Sequence, residues 1–250
     1  MAHRGRRTSP PEGERPRFRP PAADDLRHPE ANPYLDAHRE WSPEVVPADV
    51  AHTFHGRWEA AFGRSAPLHV EIGSGNGFFL AGTCAAHPEW NVLGVEIRYK
   101  RAVLCARKLR AAGLTNGRIA RYDAFYLDDL FTDGAAAALY VNHPDPWPRE
   151  RHAKNRLISR WFLEEAARIL QSGAPLRLKS DYLPNIERLT FHLDHDDDGE
   201  PAPRLPFDVT GRADDVTTGP APWPDDIETN YQSKFRKRGL PVYAVALART

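Results

Sequence analysis

Val70-Glu71-Ile72-Gly73-Ser74-Gly75-Asn76-Gly77 is the stretch whose reading decides the fold. An apolar run from Leu68 ends in an acid and breaks into alternating glycines, and an apolar helix pattern begins at Phe78. Glycines there let the backbone approach a ligand closely. The spacing is GxGxG, and Phe78 stands where the dinucleotide fingerprint GxGxxG has its third glycine, which disfavours NAD. Nineteen residues beyond Gly77, Glu96 closes the next apolar run, where a carboxylate can accept both hydroxyls of a ribose. Asp123 closes the third.

Outward from this stretch, short apolar runs alternate with amphipathic ones, the pattern of βα units around a mainly parallel sheet. Strands are predicted at 68–72, 91–96, 118–122, 137–142, 176–179, 207–210 and 242–247, and helices at 78–86, 98–112, 155–170 and 185–193. Residues 194–200 hold five acids and Gly199, which predicts an exposed loop. Residues 1–30 combine six prolines with seven arginines and show no apolar periodicity, so they read as a disordered basic arm ahead of a single domain over 31–250.

Composition narrows the function. The chain has 250 residues with 41% hydrophobic content, enough for one large core, and a mean hydropathy of -0.60 without a long charge-free apolar run predicts no membrane span. No secretory pattern follows the basic start, so a cytoplasmic location is expected. Two cysteines, Cys84 and Cys105, are too few for a disulfide framework and have no zinc spacing, and His143 and His152 lie nine apart on a loop without evident partners; no metal is expected. Thirty-four basic residues balance 34 acidic ones, which argues against indiscriminate coating of nucleic acid. Locally the balance breaks: six basic residues and no acid occupy 98–110, five basic residues face Glu150 alone in 149–160, and Lys234, Arg236, Lys237 and Arg238 form a third cluster. These patches predict either a polyanion-facing surface or simply solvated faces. The excess of 28 arginines over 6 lysines fits GC-rich codon usage as well as phosphate recognition.

An acid after each of the first three strands, with glycines after the first, resembles the class I fold of S-adenosylmethionine-dependent methyltransferases. The resemblance implies an α/β, Rossmann-like fold with a seven-stranded, mostly parallel sheet and helices on both faces. In that family Glu71, Gly73 and Gly75 would lie by the methionine part of S-adenosylmethionine, Glu96 would hold the ribose, and Asp123 would lie near the adenine. Capping of a turn or helix is the alternative for Glu71 and Asp123.

A second motif narrows the resemblance. Asn142-His143-Pro144-Asp145-Pro146-Trp147-Pro148-Arg149-Glu150-Arg151-His152 places three prolines among five residues after the fourth predicted strand, giving a stiff loop at the carboxyl edge of the sheet, where α/β enzymes put ligands. With Lys154, Asn155 and Arg156 it is similar to the PDPW-x-[KR]-x-[RK]-H motif of bacterial tRNA (guanine-N7)-methyltransferases, the TrmB family. Gly94-Val95-Glu96-Ile97-Arg98, Ser180-Asp181-Tyr182 and Thr229-Asn230-Tyr231-Gln232-Ser233-Lys234-Phe235 extend the similarity over about residues 65–250.

The resemblance implies methyl transfer from S-adenosylmethionine to N7 of a tRNA guanine, the variable-loop guanine 46 in this family, with tRNA as partner. It puts Glu71, Glu96, Asp123 and Asp145 at the cofactor, with Asp145 also the catalytic candidate, and Arg149, Asp181, Thr229, Asn230, Tyr231 and Gln232 at the guanine. The chain departs from the family pattern twice, with Arg149 in place of lysine and Gln232 in place of glutamate. The latter leaves a carbonyl that can accept one base hydrogen bond. A solvated charge at Arg149, a helix cap at Asp181 and a core-covering ring at Trp147 are the plainer alternatives. Two other functions fit less of the sequence. A different class I methyltransferase, acting on an amine or small molecule, would need the residues of the Pro-Asp-Pro-Trp loop in another order, and a non-catalytic RNA-binding homologue has only Gln232 in its favour.

Overall fold

The computed structural model describes residues 33–250, and these fall into two compact units, 33–132 and 133–250. The expected arm lies outside the described residues. All seven predicted strands are present, and an eighth, the two-residue Val45–Val46, adds to them. Two residues are too few to carry an alternation, so no period marks them in the sequence.

In the unit 33–132, α1 (Tyr34–Glu40) leads into β1 (Val45–Val46), and the short helices α2 (Ala48–Ala51) and α3 (Glu59–Phe62) precede β2 (Leu68–Ile72). The chain continues through α4 (Phe78–Ala86), β3 (Asn91–Val95), α5 (Tyr99–Ala111) and β4 (Gly117–Ala120). The strands lie in the order β1, β4, β3, β2, each pair parallel, with Glu71 beside Gly94 and Ile72 beside Val95. Every residue of β2, β3 and β4 is buried, the signature of parallel strands covered on both faces. Along α5, Ala102, Val103, Cys105, Ala106 and Leu109 recur at helical spacing and are buried, and all but Val103 pack with Leu80, Cys84, Val92 and Ile119. Both cysteines are free thiols in this core, and burial pushes the Cys84 thiol up to about 12, so neither is a nucleophile.

The polar face of α5 is partly claimed by the fold. Arg110 lies 4.3 Å above the Trp41 ring and grips Glu44 with two bonds of 2.9 and 2.6 Å, while Arg107 sits between Tyr34 and Trp41 at 5.9 and 5.6 Å. Two of the six cations that made 98–110 look like a phosphate-facing patch therefore hold α1 and its following turn. Arg118 is spent entirely inside, donating to the carbonyls of Ala61, Thr115 and Gly117 at 3.0, 2.9 and 2.7 Å.

In the unit 133–250 the elements are β5 (Ala138–Asn142), α6 (Arg160–Ile169), β6 (Pro175–Ser180), α7 (Leu183–Phe191), β7 (Phe207–Ala213), α8 (Asn230–Arg238) and β8 (Tyr243–Arg249). Their strands run β5, β6, β8, β7: the first pair is parallel, the other two antiparallel, with a bulge between Val209 and Gly211. The helix predicted from 155 begins at Arg160, because the Ser159 hydroxyl accepts from the Phe162 N–H and caps it there. Arg160, counted with the second basic patch, is buried and donates to the carbonyls of His192, Leu193 and Pro203, closing the mostly exposed loop 194–200 onto α6.

The turn that returns β7 toward β8 hangs on Asp215. Its carboxylate accepts from the N–H groups of Thr217 and Val242 and from the Thr218 hydroxyl at 2.8, 3.2 and 2.8 Å. Burial raises its carboxyl, but these hydrogen bonds outweigh that and hold it at about 2. A folded-state value below the unfolded one means the unfolded chain binds the extra proton, so stability is present above about pH 4 and is lost as pH falls toward about 2. Asp215→Asn is expected to flatten the stability curve across that window. A urea titration at pH 2 to 5 showing identical slopes for both proteins would contradict this role.

Candidate functional site

In the unit 33–132 the glycine loop is shaped by backbone geometry that side chains rarely adopt: Gly73, Gly75 and Gly77 have φ of 75°, 54° and 74°. At Gly77 the requirement is also steric, because a Cβ there would stand 2.8 Å from the Cα of Cys105 on α5. A Cβ at Gly73 would meet no atom within 4 Å, so the loop borders open space on that side. Glu71 is the last residue but one of β2 and is 2% exposed.

Glu96 completes the loop. Its Oε2 accepts from the Gly75 N–H and its Oε1 from the Arg98 N–H, both at 2.9 Å. Burial pushes the Glu96 carboxyl up, while the Arg98 N–H, the Arg101 charge and the Gly75 N–H pull it down. Each oxygen keeps a lone pair after its backbone bond, so a diol could still be held by both. Asp123 behaves differently. Its Oδ1 accepts from the Phe125 N–H at 3.1 Å and starts the 3-10 turn Ala124–Asp129, so the capping alternative is realised, with Oδ2 left for a further donor.

In the unit 133–250 the Pro-Asp-Pro-Trp loop is pinned from three sides. Asn185, buried on α7, donates to the Pro144 carbonyl at 3.2 Å, and Arg156 donates to the carbonyls of Trp147 and Pro148 at 3.0 and 3.4 Å while pairing with Glu150 at 2.6 Å. The Trp147 ring meets His152 edge-on at 5.5 Å. His143 and Trp147 hold φ of 50° and 40°, each immediately before a proline, a placement that normally favours extended backbone. Such positions cost about 1–2 kcal/mol each and persist only where the surroundings enforce them. Asp145 and Arg149 are exposed on the loop, and among the described residues Asp145 has no hydrogen-bond or ion-pair partner.

The expectation that His143 lacks partners is corrected. Its ring is 4% exposed and lies between Asp181 and Thr229, with Nδ1 3.1 Å from Asp181 Oδ1 and Nε2 2.9 Å from Thr229 Oγ1. The Tyr231 ring, itself 46% exposed, stacks on it at 5.1 Å. The hydrogen bond from His143 holds the Asp181 carboxyl below the usual carboxylate range, against burial. Three residues predicted for the guanine are thus gathered around one imidazole that sequence reasoning passed over, and the signal was the strand-end position it shares with Asp181.

Gln232 is also corrected. It is 3% exposed, its Oε1 accepts from Lys179 at 2.9 Å, and its Nε2 donates to the Val216 carbonyl at 2.9 Å. Both ends of the amide bond inside the fold, and at this depth the carbonyl does not face the surface. Lys179, missed in the sequence, is the centre of this cluster, bonding also to Asp226 at 2.6 Å and the Ile227 carbonyl at 3.0 Å. Burial pushes the Lys179 amine down, and the Asp226 charge pulls it back up. Thr229 caps α8 by accepting the Gln232 N–H at 2.9 Å, and Asn230 is the first, half-buried residue of that helix.

Residues 65–244 match a family model described as "Putative methyltransferase". A curated tRNA (guanine-N(7)-)-methyltransferase from Limosilactobacillus reuteri is 32% identical over 213 residues, covering 82% of this chain and 95% of the relative. The protein of the same name from Halalkalibacterium halodurans is 32% identical over 203 residues, 81% of this chain and 86% of its own. The chain belongs to the tRNA (guanine-N7)-methyltransferase family. Among solved structures, TrmN from Thermus thermophilus superposes with a TM-score of 0.51 at 16% identity, covering 86% of this chain and 53% of that one. A 30S ribosomal A1408 methyltransferase from an uncultured bacterium gives 0.50 at 14% identity, covering 78% of this chain and 93% of that one. These likenesses establish the class I methyltransferase fold. The glycine loop is thus a backbone cradle open at Gly73, with the Glu96 carboxylate fixed beside it by two backbone N–H groups. Among the described residues no helix is long and apolar enough to cross a membrane.

Proposed function

We propose that this protein transfers a methyl group from S-adenosylmethionine to N7 of a guanine in tRNA, the variable-loop guanine 46, and works in the cytoplasm where tRNA is found. The observation that carries the chemistry is Asp145, an unpaired carboxylate on a loop braced by Asn185, Arg156 and two prolines. Bound S-adenosylmethionine supplies a methyl group on a positively charged sulfur. Guanine N7 has an in-plane lone pair and no proton at neutral pH, so the chain needs no general base and works by positioning. Positive charge builds on the purine as N7 is methylated, and Asp145 offers it a fixed anion. Glu96 holds the ribose and the Gly73 to Gly75 backbone borders the methionine part; Glu71 closes that wall, and Asp123 faces the adenine with the oxygen its cap leaves over. Asp181 accepts from the base edge, with Thr229, Asn230 and Tyr231 beside it. Arg149, Arg151, Lys237 and Arg238, all exposed, meet tRNA phosphates. Incubating the protein with S-adenosylmethionine and unmodified tRNA and analysing nucleosides by mass spectrometry tests the reading; methylation of another nucleoside alone would reject it.

The ribose assignment has its own test. Glu96→Ala is expected to weaken S-adenosylmethionine about tenfold or more, since losing a charged hydrogen bond costs about 1.5 to 3 kcal/mol. Equal affinities by calorimetry would remove Glu96 from the cofactor.

A further inference from the structure

We infer that His143 is a positioning residue that aims Asp181 and the Thr229 to Tyr231 segment at the guanine, so that discrimination for the base depends on an imidazole the base never touches. The inference rests on the proposed reaction and deepens it. Three elements meet at this ring: the residue after β5 is His143, the residue after β6 is Asp181, and the cap of α8 is Thr229. Asp181 as a carboxylate only accepts, so it assigns the Nδ1 proton: the ring donates through Nδ1 to Oδ1 at 3.1 Å. Its Nε2 shares a hydrogen bond of 2.9 Å with the Thr229 hydroxyl, which in turn accepts the Gln232 N–H at 2.9 Å. One side chain therefore ties the Asp181 carboxylate to the first turn of α8.

The geometry separates holding from contacting. The ring is 4% exposed and has both nitrogens engaged, whereas Asp181 is 35% exposed at its side chain and uses only Oδ1 on His143. Oδ2 is left to accept from a donor outside, which a guanine provides at N1–H and at its exocyclic amine. The stacked Tyr231 ring, 46% exposed, has one face on the imidazole and is held where a base could be met. The backbone is consistent with a positioning role. His143 keeps a left-handed φ of 50° before Pro144, an arrangement maintained by the side-chain bonds and by its N–H donating to the Lys179 carbonyl at 2.8 Å.

The test compares His143→Ala with His143→Asn, using tRNA with guanosine or with inosine at the target position. Asparagine tolerates the left-handed backbone and carries an amide N–H near the place of Nδ1–H, so it keeps the bond to Asp181. Inosine lacks the exocyclic amine, and the wild type is expected to methylate it about tenfold or more slowly than guanosine. His143→Ala is expected to lower kcat on guanosine about tenfold or more and to bring the guanosine-to-inosine ratio close to one, with tRNA and S-adenosylmethionine affinities unchanged, because phosphates dominate the former. His143→Asn should retain most of the ratio. Loss of kcat in His143→Ala with the ratio intact, or with both affinities and thermal stability falling together, would overturn the positioning role while leaving the reaction standing. A wild type that forms no 7-methylguanosine would overturn both.

Discussion

Asp145→Asn is expected to lower kcat by about a hundredfold, the scale of removing one preorganised electrostatic group from a developing charge, while tRNA affinity stays within a factor of about two. Asparagine keeps the size and one acceptor, and Asp145 has no partner among the described residues whose loss would disturb the fold, so the change isolates the charge. The loop should hold its shape, because its braces come from Asn185 and Arg156 and bind backbone carbonyls rather than the Asp145 side chain. Single-turnover kinetics with saturating S-adenosylmethionine reads the chemical step directly. A drop below about threefold would remove Asp145 from catalysis, and an equal loss in tRNA binding would reassign it to docking.

The largest effect on stability should come from Lys179→Ala. The amine is 1% exposed at its side chain and satisfies three acceptors, Asp226, Gln232 and the Ile227 carbonyl. Deleting one partner of a buried charge pair costs about 3 to 5 kcal/mol, because the other charge is left without compensation. For a protein of this size that corresponds to a fall in Tm on the order of 10 °C. Replacing both charges, Lys179→Met with Asp226→Asn, should recover much of the loss, since apolar or neutral substitutes leave no orphaned ion. Urea denaturation of the single and double variants checks both numbers; a Lys179→Ala cost under about 1 kcal/mol would show the cluster to be hydrated and loosely held.

β2, β3 and β4 were legible because each is a short, fully buried run, and the acids after them were legible because a charge after such a run interrupts it visibly. What escaped the sequence shares a physical cause: it depends on partners far along the chain. α8 buries only Gln232 and presents Lys234, Arg236, Lys237 and Arg238 to the outside, so it has no apolar stripe to announce a helix, and its cap is recognisable only once Thr229 is seen accepting the Gln232 N–H. The helices α2 and α3, at four residues each, fall below one period's worth of evidence. Gln232 and His143 depart from expectation for the same reason. Their neighbours are Lys179 and Val216 in one case and Asp181 and Thr229 in the other, 16 to 86 residues away, and a side chain's freedom cannot be judged from its flanking residues. Thr229, Tyr231 and Asp181, far apart in the chain, are gathered by a common imidazole.

The guanidinium groups that close backbone carbonyls matter to anyone altering the surface chemistry of this enzyme. Arg118, Arg156 and Arg160 each bind two or three carbonyls, and Arg64, Arg236 and Arg249 also reach into backbone. A lysine offers one ammonium point where these sites use a flat fork, so wholesale arginine-to-lysine recoding, whether for amine-directed labelling or for expression in another codon context, would unpick loops rather than merely repaint the exterior. Positions safe for the fold are those such as Arg238, exposed at the end of α8 and bonded through its side chain to nothing among the described residues, where the proposed contact with tRNA is what a label would disturb. Much of the arginine-rich composition has become mortar, and the enzyme can no longer exchange it charge for charge.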